Sequence, residues 1–210
     1  MNYNEIVSLA LSYADRTDNE VTSRMDDFLR MTESRVNRAF KVRNMSTRAV
    51  LSMIEDQVYY GMPADFNGLR DIEIYDSLTP NSKQTLKYLS PEQMNNRVSA
   101  SNAGVNSAFI YYTIIANQLQ ITPAQSSGKT MEIVYYQDLR PLGTADPENW
   151  VSVYVPDAYV NGLLTEISAF VKDKEAALLW NERFVISLAE ISDDDAETRW
   201  SGTAMETRVG

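Results

Sequence analysis

The spacing of apolar residues changes twice along this chain, and that change restricts the fold more than anything else in the sequence. From Tyr3 to Lys41, and again from Pro156 to Ile191, apolar side chains recur at the three-and-four spacing of helices. Between about Thr47 and Arg140 they alternate with the period of two that belongs to strands. Each helical end is too small to bury a core alone, so the two are expected to pack together, interrupted by a β-rich insert. The expected fold class is α+β: a helical bundle formed by the N- and C-terminal helices with an inserted antiparallel β-subdomain. Residues 1–46 and 141–195 would form the helical body, 47–140 the insert and 196–210 a flexible C-terminal tail.

The local signals give finer expectations. Ile6, Leu9, Ala10 and Tyr13 predict a helix over Asn4 to Ala14. A longer second helix carries the stripe Val21, Met25, Phe28, Leu29, Thr32, Val36, Ala39 and Phe40. Seven strands are expected, over Ala49 to Met53, Gln57 to Tyr60, Leu69 to Tyr75, Gln84 to Tyr88, Phe109 to Ile115, Gln118 to Thr122 and Thr130 to Tyr136. Ser90, Pro91 and Gln93 form a helix-start signal, predicting a short helix to about Val98 and a loop from Ser99 to Ser107. Pro156 starts a helix running to about Val171. Asp173 caps the next one, with Ala177, Trp180, Phe184, Leu188 and Ile191 on one side.

Composition narrows the chemistry. With no Cys and no His among 210 residues, thiolate nucleophiles, disulfides, Cys-based zinc sites and the commonest general base are excluded. No cofactor or metal is expected. No apolar run approaches the roughly 20 residues of a membrane helix, and the N-terminus lacks the features of a signal peptide, so a soluble, cytoplasmically made protein is expected. The formal charge of −10 opposes adhesion to nucleic acid. Cations nevertheless cluster at Arg30, Arg35, Arg38, Lys41, Arg43 and Arg48, while Glu190, Asp193, Asp194, Asp195 and Glu197 make the opposite end acidic. The basic cluster has two readings: pairing with a helix C-terminus, which covers only the last turn, or a surface that binds a partner.

Four features could carry chemistry. Ser127-Gly128-Lys129-Thr130 looks like the end of a phosphate-binding loop, but Pro123 stands where that motif needs Gly and a strand follows where it needs a helix. Gln125 to Gly128 is therefore expected to be a hairpin turn with an exposed Lys. Glu33, Glu55, Asp56 and Asp65 could supply the carboxylate pair of a glycoside hydrolase, although no motif forces them together. Asp193-Asp194-Asp195 lacks the alternating spacing of a calcium loop. The pairs Tyr59-Tyr60, Tyr111-Tyr112 and Tyr135-Tyr136 should each turn one ring to the core and one outward.

Several segments, taken in order, resemble the head-to-tail adaptor proteins of short-tailed bacteriophages. The likeness runs from Glu33-Ser34-Arg35-Val36-Asn37-Arg38-Ala39-Phe40-Lys41-Val42-Arg43-Asn44-Met45 to Tyr60-Gly61-Met62-Pro63-Ala64-Asp65-Phe66 and Leu86-Lys87-Tyr88-Leu89-Ser90-Pro91-Glu92. It continues through Tyr112-Thr113-Ile114, Leu119 to Ala124, Ile133 to Tyr136 and Pro156 to Leu164, and closes on Arg199-Trp200-Ser201-Gly202. Met62 stands where that family more often has Leu. The resemblance implies a structural virion protein, assembled in the host bacterial cytoplasm, that forms a ring, usually dodecameric, between the portal protein and the tail nozzle protein. Double-stranded DNA would pass through it without specific binding. It further implies that Arg30, Arg35, Arg38, Lys41, Arg43 and Arg48 meet a neighbouring subunit or the portal. A C-terminal tail bearing Arg199, Trp200, Met205 and Arg208 would dock on the portal. The alternative expectation is a tail-associated peptidoglycan hydrolase using a carboxylate pair.

Overall fold

The computed structural model describes residues 1–102 and 108–200 and has an α+β fold. In chain order the helices are α1 (Tyr3–Ala14), α2 (Asn19–Thr22), α3 (Met25–Ala39), α4 (Pro91–Asn102), α5 (Trp150–Tyr154), α6 (Pro156–Phe170) and α7 (Lys174–Trp200). The strands are β1 (Ser46–Ser52), β2 (Tyr59–Gly61), β3 (Phe66–Asp76), β4 (Thr79–Thr85), β5 (Lys87–Tyr88), β6 (Tyr111–Ile115), β7 (Gln118–Thr122) and β8 (Lys129–Gln137). They divide into two compact units, Met1–Met45 with Leu139–Gly210, and Ser46–Asp138.

In the first unit, local chemistry sets the helix starts. The Asn2 side chain accepts from the Glu5 amide while the Glu5 carboxylate accepts from the Asn2 amide, a capping box that begins α1. Asp18 caps α2, Asn149 caps α5, and Pro156 opens α6 at a position where a missing N–H costs nothing. Around α6 pack α1, α3 and α7, and its Tyr159, Leu163, Leu164 and Ile167 are almost fully buried. Gly162 permits the closest approach, because a Cβ there would overlap Thr32 Cγ2 on α3.

The contacts also fix helix directions. Phe28 meets Phe170 at 5.5 Å between ring centroids and Tyr159 donates to Glu33, so α3 runs antiparallel to α6. α7 reverses again after α6, which makes α3 and α7 parallel. The Arg35 guanidinium lies 4.5 Å from the Phe184 ring centre, and Arg43 pairs with Asp195 at 3.0 Å.

Several helices differ from the expectation. The second helix is broken at Ser23-Arg24, where Arg24 adopts φ −109, ψ 6 and α3 begins without a side-chain cap. α4 reaches Asn102, four residues past the expected end at Val98. Nothing in the periodicity announces α5, whose single turn rests on the Asn149 cap. α7 continues to Trp200, through the acidic run and into the expected tail, because Asp195 finds the Arg43 side chain and acidic residues interrupt no helical hydrogen bond.

The second unit holds two four-stranded sheets, in the orders β1-β8-β3-β4 and β2-β7-β6-β5. The last strand, β8, lies between β1 and β3, with Tyr136 paired to Ser46. First and last strands of the insert are therefore neighbours, the arrangement that lets a domain be inserted without disturbing its host. The pairings are antiparallel as expected except one, β5, which pairs parallel to β6. Parallel neighbours need a crossover of about a dozen residues or more, and the connection that carries α4 supplies it.

The expected strand Gln84 to Tyr88 is two strands in different sheets. The intervening Leu86 is buried; its amide donates to Ile72 of β3, whereas the Lys87 amide donates to Ile110 beside β6. Met53, Tyr60, Ile72, Leu119, Ile121 and Ile133 belong to one core cluster fed by both sheets. Gln125 to Gly128 is likewise not a hairpin turn, since β7 and β8 lie in different sheets. Buried Gln125 holds this crossing, its amide donating to the Pro123 carbonyl and its oxygen accepting from Lys129 Nζ at 2.8 Å.

Candidate functional site

The segment Glu33 to Met45 concentrates the polar residues with defined roles in the first unit. Glu33 and Asn37 stand one turn apart on α3, so both face the same neighbour. Glu33 Oε1 accepts from the Leu142 amide at 2.7 Å, and Asn37 Oδ1 accepts from the Leu139 amide at 2.7 Å. Two α3 side chains thus fasten the segment by which the chain returns from the insert. A buried network extends from them. The Tyr159 hydroxyl donates to Glu33 Oε1 at 3.1 Å and accepts from Asn149 Nδ2 at 2.6 Å, and Asn149 Nδ2 also donates to the Arg140 carbonyl. Burial is the largest influence on the Glu33 carboxyl and raises its pKa, against the opposing pull of its two donors. Burial and the adjacent Glu33 push the Tyr159 hydroxyl up as well.

This arrangement binds backbone rather than substrate. Glu33 was one of four candidate acids; its oxygen is engaged by protein donors from two other segments. Asp65 accepts from the Tyr135 hydroxyl at 2.9 Å, which, after burial, holds that phenol at about 12. Glu55 and Asp56 are exposed between β1 and β2. The second unit also contains Gly128 at φ 92, a left-handed conformation suited to Gly, but β8 follows it and no helix presents amides to a phosphate. Among the described residues no group of carboxylates could hold a metal ion. Nor, among them, is any helix long and apolar enough to cross a membrane.

The six clustered cations separate into two groups. Arg35 pairs with Glu166 at 3.3 Å and bonds Asn181, Arg43 pairs with Asp195, and Arg48 in the second unit pairs with the largely buried Glu132 at 3.0 Å. These three neutralise acids of their own unit. Arg30, Arg38 and Lys41 are exposed on the outer side of α3 and just beyond it, with Lys41 Nζ donating back to the Asn37 carbonyl. Arg199 and Trp200 belong to the last turn of α7, but their side chains, like Met205 and Arg208 altogether, lie outside the described residues.

Two surface features were not evident from the periodicity. A groove of about 780 Å³ lies between the α5–α6 junction and the C-terminal half of α7, lined by Trp150, Tyr154, Asp157, Glu190 and Asp194, with Arg43 at its edge. The outer face of α7 exposes Leu178, Leu179, Val185 and Ile186, each at least 48 % accessible. Their seven-residue repeat was present in the sequence, hidden behind the stronger stripe that packs inward. Of the three tyrosine pairs, Tyr59-Tyr60 divides as expected, with Tyr60 in the core and Tyr59 exposed; Tyr135 is buried beside half-buried Tyr136, and Tyr111 and Tyr112 are both half-buried.

No curated protein matches the chain. The model of the SU10 adaptor protein family matches residues 1–208. A buried polar network that organises the chain, outward cations and an uncovered apolar helix face suit a protein that works by assembly. The chain belongs to the SU10 adaptor protein family and is a phage adaptor protein.

Proposed function

We propose that this protein joins the portal to the tail nozzle as a ring, dodecameric by family resemblance, at the neck of the virion. The observation that carries the reading is the family match over residues 1–208. Further support comes from surface charge. Exposed Arg30 and Arg38 lie on α3, and exposed Glu182, Glu190 and Asp193 lie on α7, so one subunit offers complementary patches for a head-to-tail contact of the kind that closes into rings. The formal charge of −10 suits a conduit through which DNA slides without sticking. The helical body and the inserted β-unit act as structural modules, the protein acts without enzymatic chemistry, and its C-terminal residues from Arg199 onward dock on the portal.

Mixing the purified chain with portal rings of its own phage and imaging the product tests this reading. A ring of this chain seated on the portal, lost when the chain is truncated after Asp195, is the expected result. Failure to associate at any salt concentration, together with clearing of peptidoglycan by the purified chain, would overturn it in favour of a tail-associated hydrolase.

A further inference from the structure

Among the described residues β1, β4, β2 and β5 end the two sheets, and three of these strands are blunted. β2 and β5 are three and two residues long. β4 carries Pro80 and Lys83, and its register with β3 shifts between Ile74 and Asp76. Short strands, proline, lysine and bulges are the devices that keep an open edge from pairing with another chain. β1 has none of them. It is seven residues long, contains no Pro or Lys, and pairs with β8 in unbroken register from Ser46 to Ser52. Its charged residue, Arg48, turns its guanidinium back onto Glu132 of β8.

One hydrogen bond fixes the direction of every β1 amide. The Met53 amide donates to the Lys129 carbonyl at 2.9 Å, one step beyond the Ser52–Thr130 pair. The residues that bond a given neighbour alternate along an antiparallel strand, so Thr47, Ala49 and Leu51 bond β8. Arg48, Val50 and Ser52 therefore direct their N–H and C=O groups to the open side. Among the described residues no backbone group meets them there. All three residues are exposed, Val50 at 58 %. Ala49 and Leu51 pack against the core of the β-unit but remain half-buried at its margin. An added strand with apolar residues at alternate positions would complete the ladder and cover both.

Symmetry and area restrict what fills this edge. Pairing it with the same edge of a second copy is isologous and needs a twofold axis, whereas neighbours in a one-way ring meet head to tail. The other strand edges of a second copy are blunted. The edge is also about 23 Å long and one strand wide. That is well short of the roughly 1,200 Å² that holds two free chains together. A contact so small holds when many copies engage at once, as between one ring and another. In the reading above the portal takes the C-terminal residues of the helical unit, which leaves the nozzle for the β-unit.

Resting on that adaptor-ring reading, we propose that β1 accepts a strand from the tail nozzle protein. An extended segment of the nozzle protein, apolar at alternate positions, adds to the sheet beside β1 and bonds the outward backbone groups of Arg48, Val50 and Ser52. Backbone pairing gives the affinity, and the margin of the core at Ala49 and Leu51 selects the side chains.

Hydrogen exchange resolved to single residues tests this on the full-length chain, alone, seated on portal rings of its own phage, and with the purified nozzle protein added. In the free chain and on the portal, the amides of Arg48, Val50 and Ser52 should exchange about 100-fold faster than those of Thr47, Ala49 and Leu51. Adding the nozzle protein should slow the first three about 100-fold. Val50→Pro removes an outward N–H that β8 does not use, so this chain should fold and seat on the portal but bind the nozzle protein at least about tenfold more weakly than Val50→Ala. Circular dichroism confirms that both variants are folded. Three outcomes would overturn the strand-acceptor role while leaving the adaptor ring intact: a bound nozzle with the three outward amides still fast, protection that arises before the nozzle protein is added, or equal nozzle binding by the Pro and Ala variants. A parent chain that joins neither portal nor nozzle would overturn both readings.

Discussion

Replacing Glu33 by Ala should destabilise the helical unit by about 3 kcal/mol, and replacing it by Gln by about 1 kcal/mol or less. The figure follows from what Oε1 does. It accepts from the Leu142 amide at 2.7 Å and the Tyr159 hydroxyl at 3.1 Å, and both donors belong to residues at least 95 % buried. Leaving a buried donor unpaired costs about 1–3 kcal/mol. The Tyr159 hydroxyl keeps its bond from Asn149 but loses the acceptor for its own proton. Against these losses stands the relief of removing a buried carboxylate, which the raised pKa shows to be unfavourable in its ionised form. Gln retains a carbonyl acceptor in the same place, so most of the network survives. At 2–4 °C per kcal/mol for a chain of this size, Glu33→Ala should lower the melting temperature by about 6–12 °C. Calorimetry measures the shift. Hydrogen exchange read by mass spectrometry should show lost protection in the return segment, residues 139–149, and no change in peptides of the β-unit. An Ala variant within about 0.5 kcal/mol of the parent, or a Gln variant as damaged as the Ala variant, would refute the role assigned to the hydrogen bonds.

The same carboxyl gives a pH prediction. Its folded pKa lies above the ordinary value of 4.5, so its contribution is fully present below the unfolded pKa and is lost as pH rises through the folded one. Urea unfolding across pH 4–8 should show the parent losing stability relative to Glu33→Gln as pH rises through this window; a constant difference would contradict it. Thr113 Oγ1 is buried without a hydrogen-bond partner among the described residues. Thr113→Val should therefore stabilise the β-unit by about 1 kcal/mol in denaturant unfolding, and a loss of that size would show that the hydroxyl is satisfied. Gly162→Ala would force a methyl group onto Thr32 between α3 and α6 and should destabilise by about 1–3 kcal/mol, whereas the double variant with Thr32→Ser should recover part of that loss.

Sequence by itself determined the features that depend on near neighbours. Pro156 at a helix start, the Ser90-Pro91-Gln93 start of α4, and the helical stripes of α1 and α6 all arise from contacts within a few residues. These are visible in spacing and residue type alone. Only the tertiary structure decided the rest. Leu86 sends one apparent strand into two sheets because its burial and its hydrogen bond to Ile72 outweigh a continuous β pattern. The segment after β7 passes to another sheet although its residues have the character of a turn, since strand pairing is settled by remote partners. Charge shows the division most clearly. Glu33 looks like any surface acid until Leu142 and Tyr159 close over it, and Arg35 resembles Arg38 until Glu166, 131 residues away, faces it. Side-chain chemistry is written in the sequence, but burial and pairing are properties of what the fold places opposite, and these determine whether a charge holds the chain together or remains available to a neighbour.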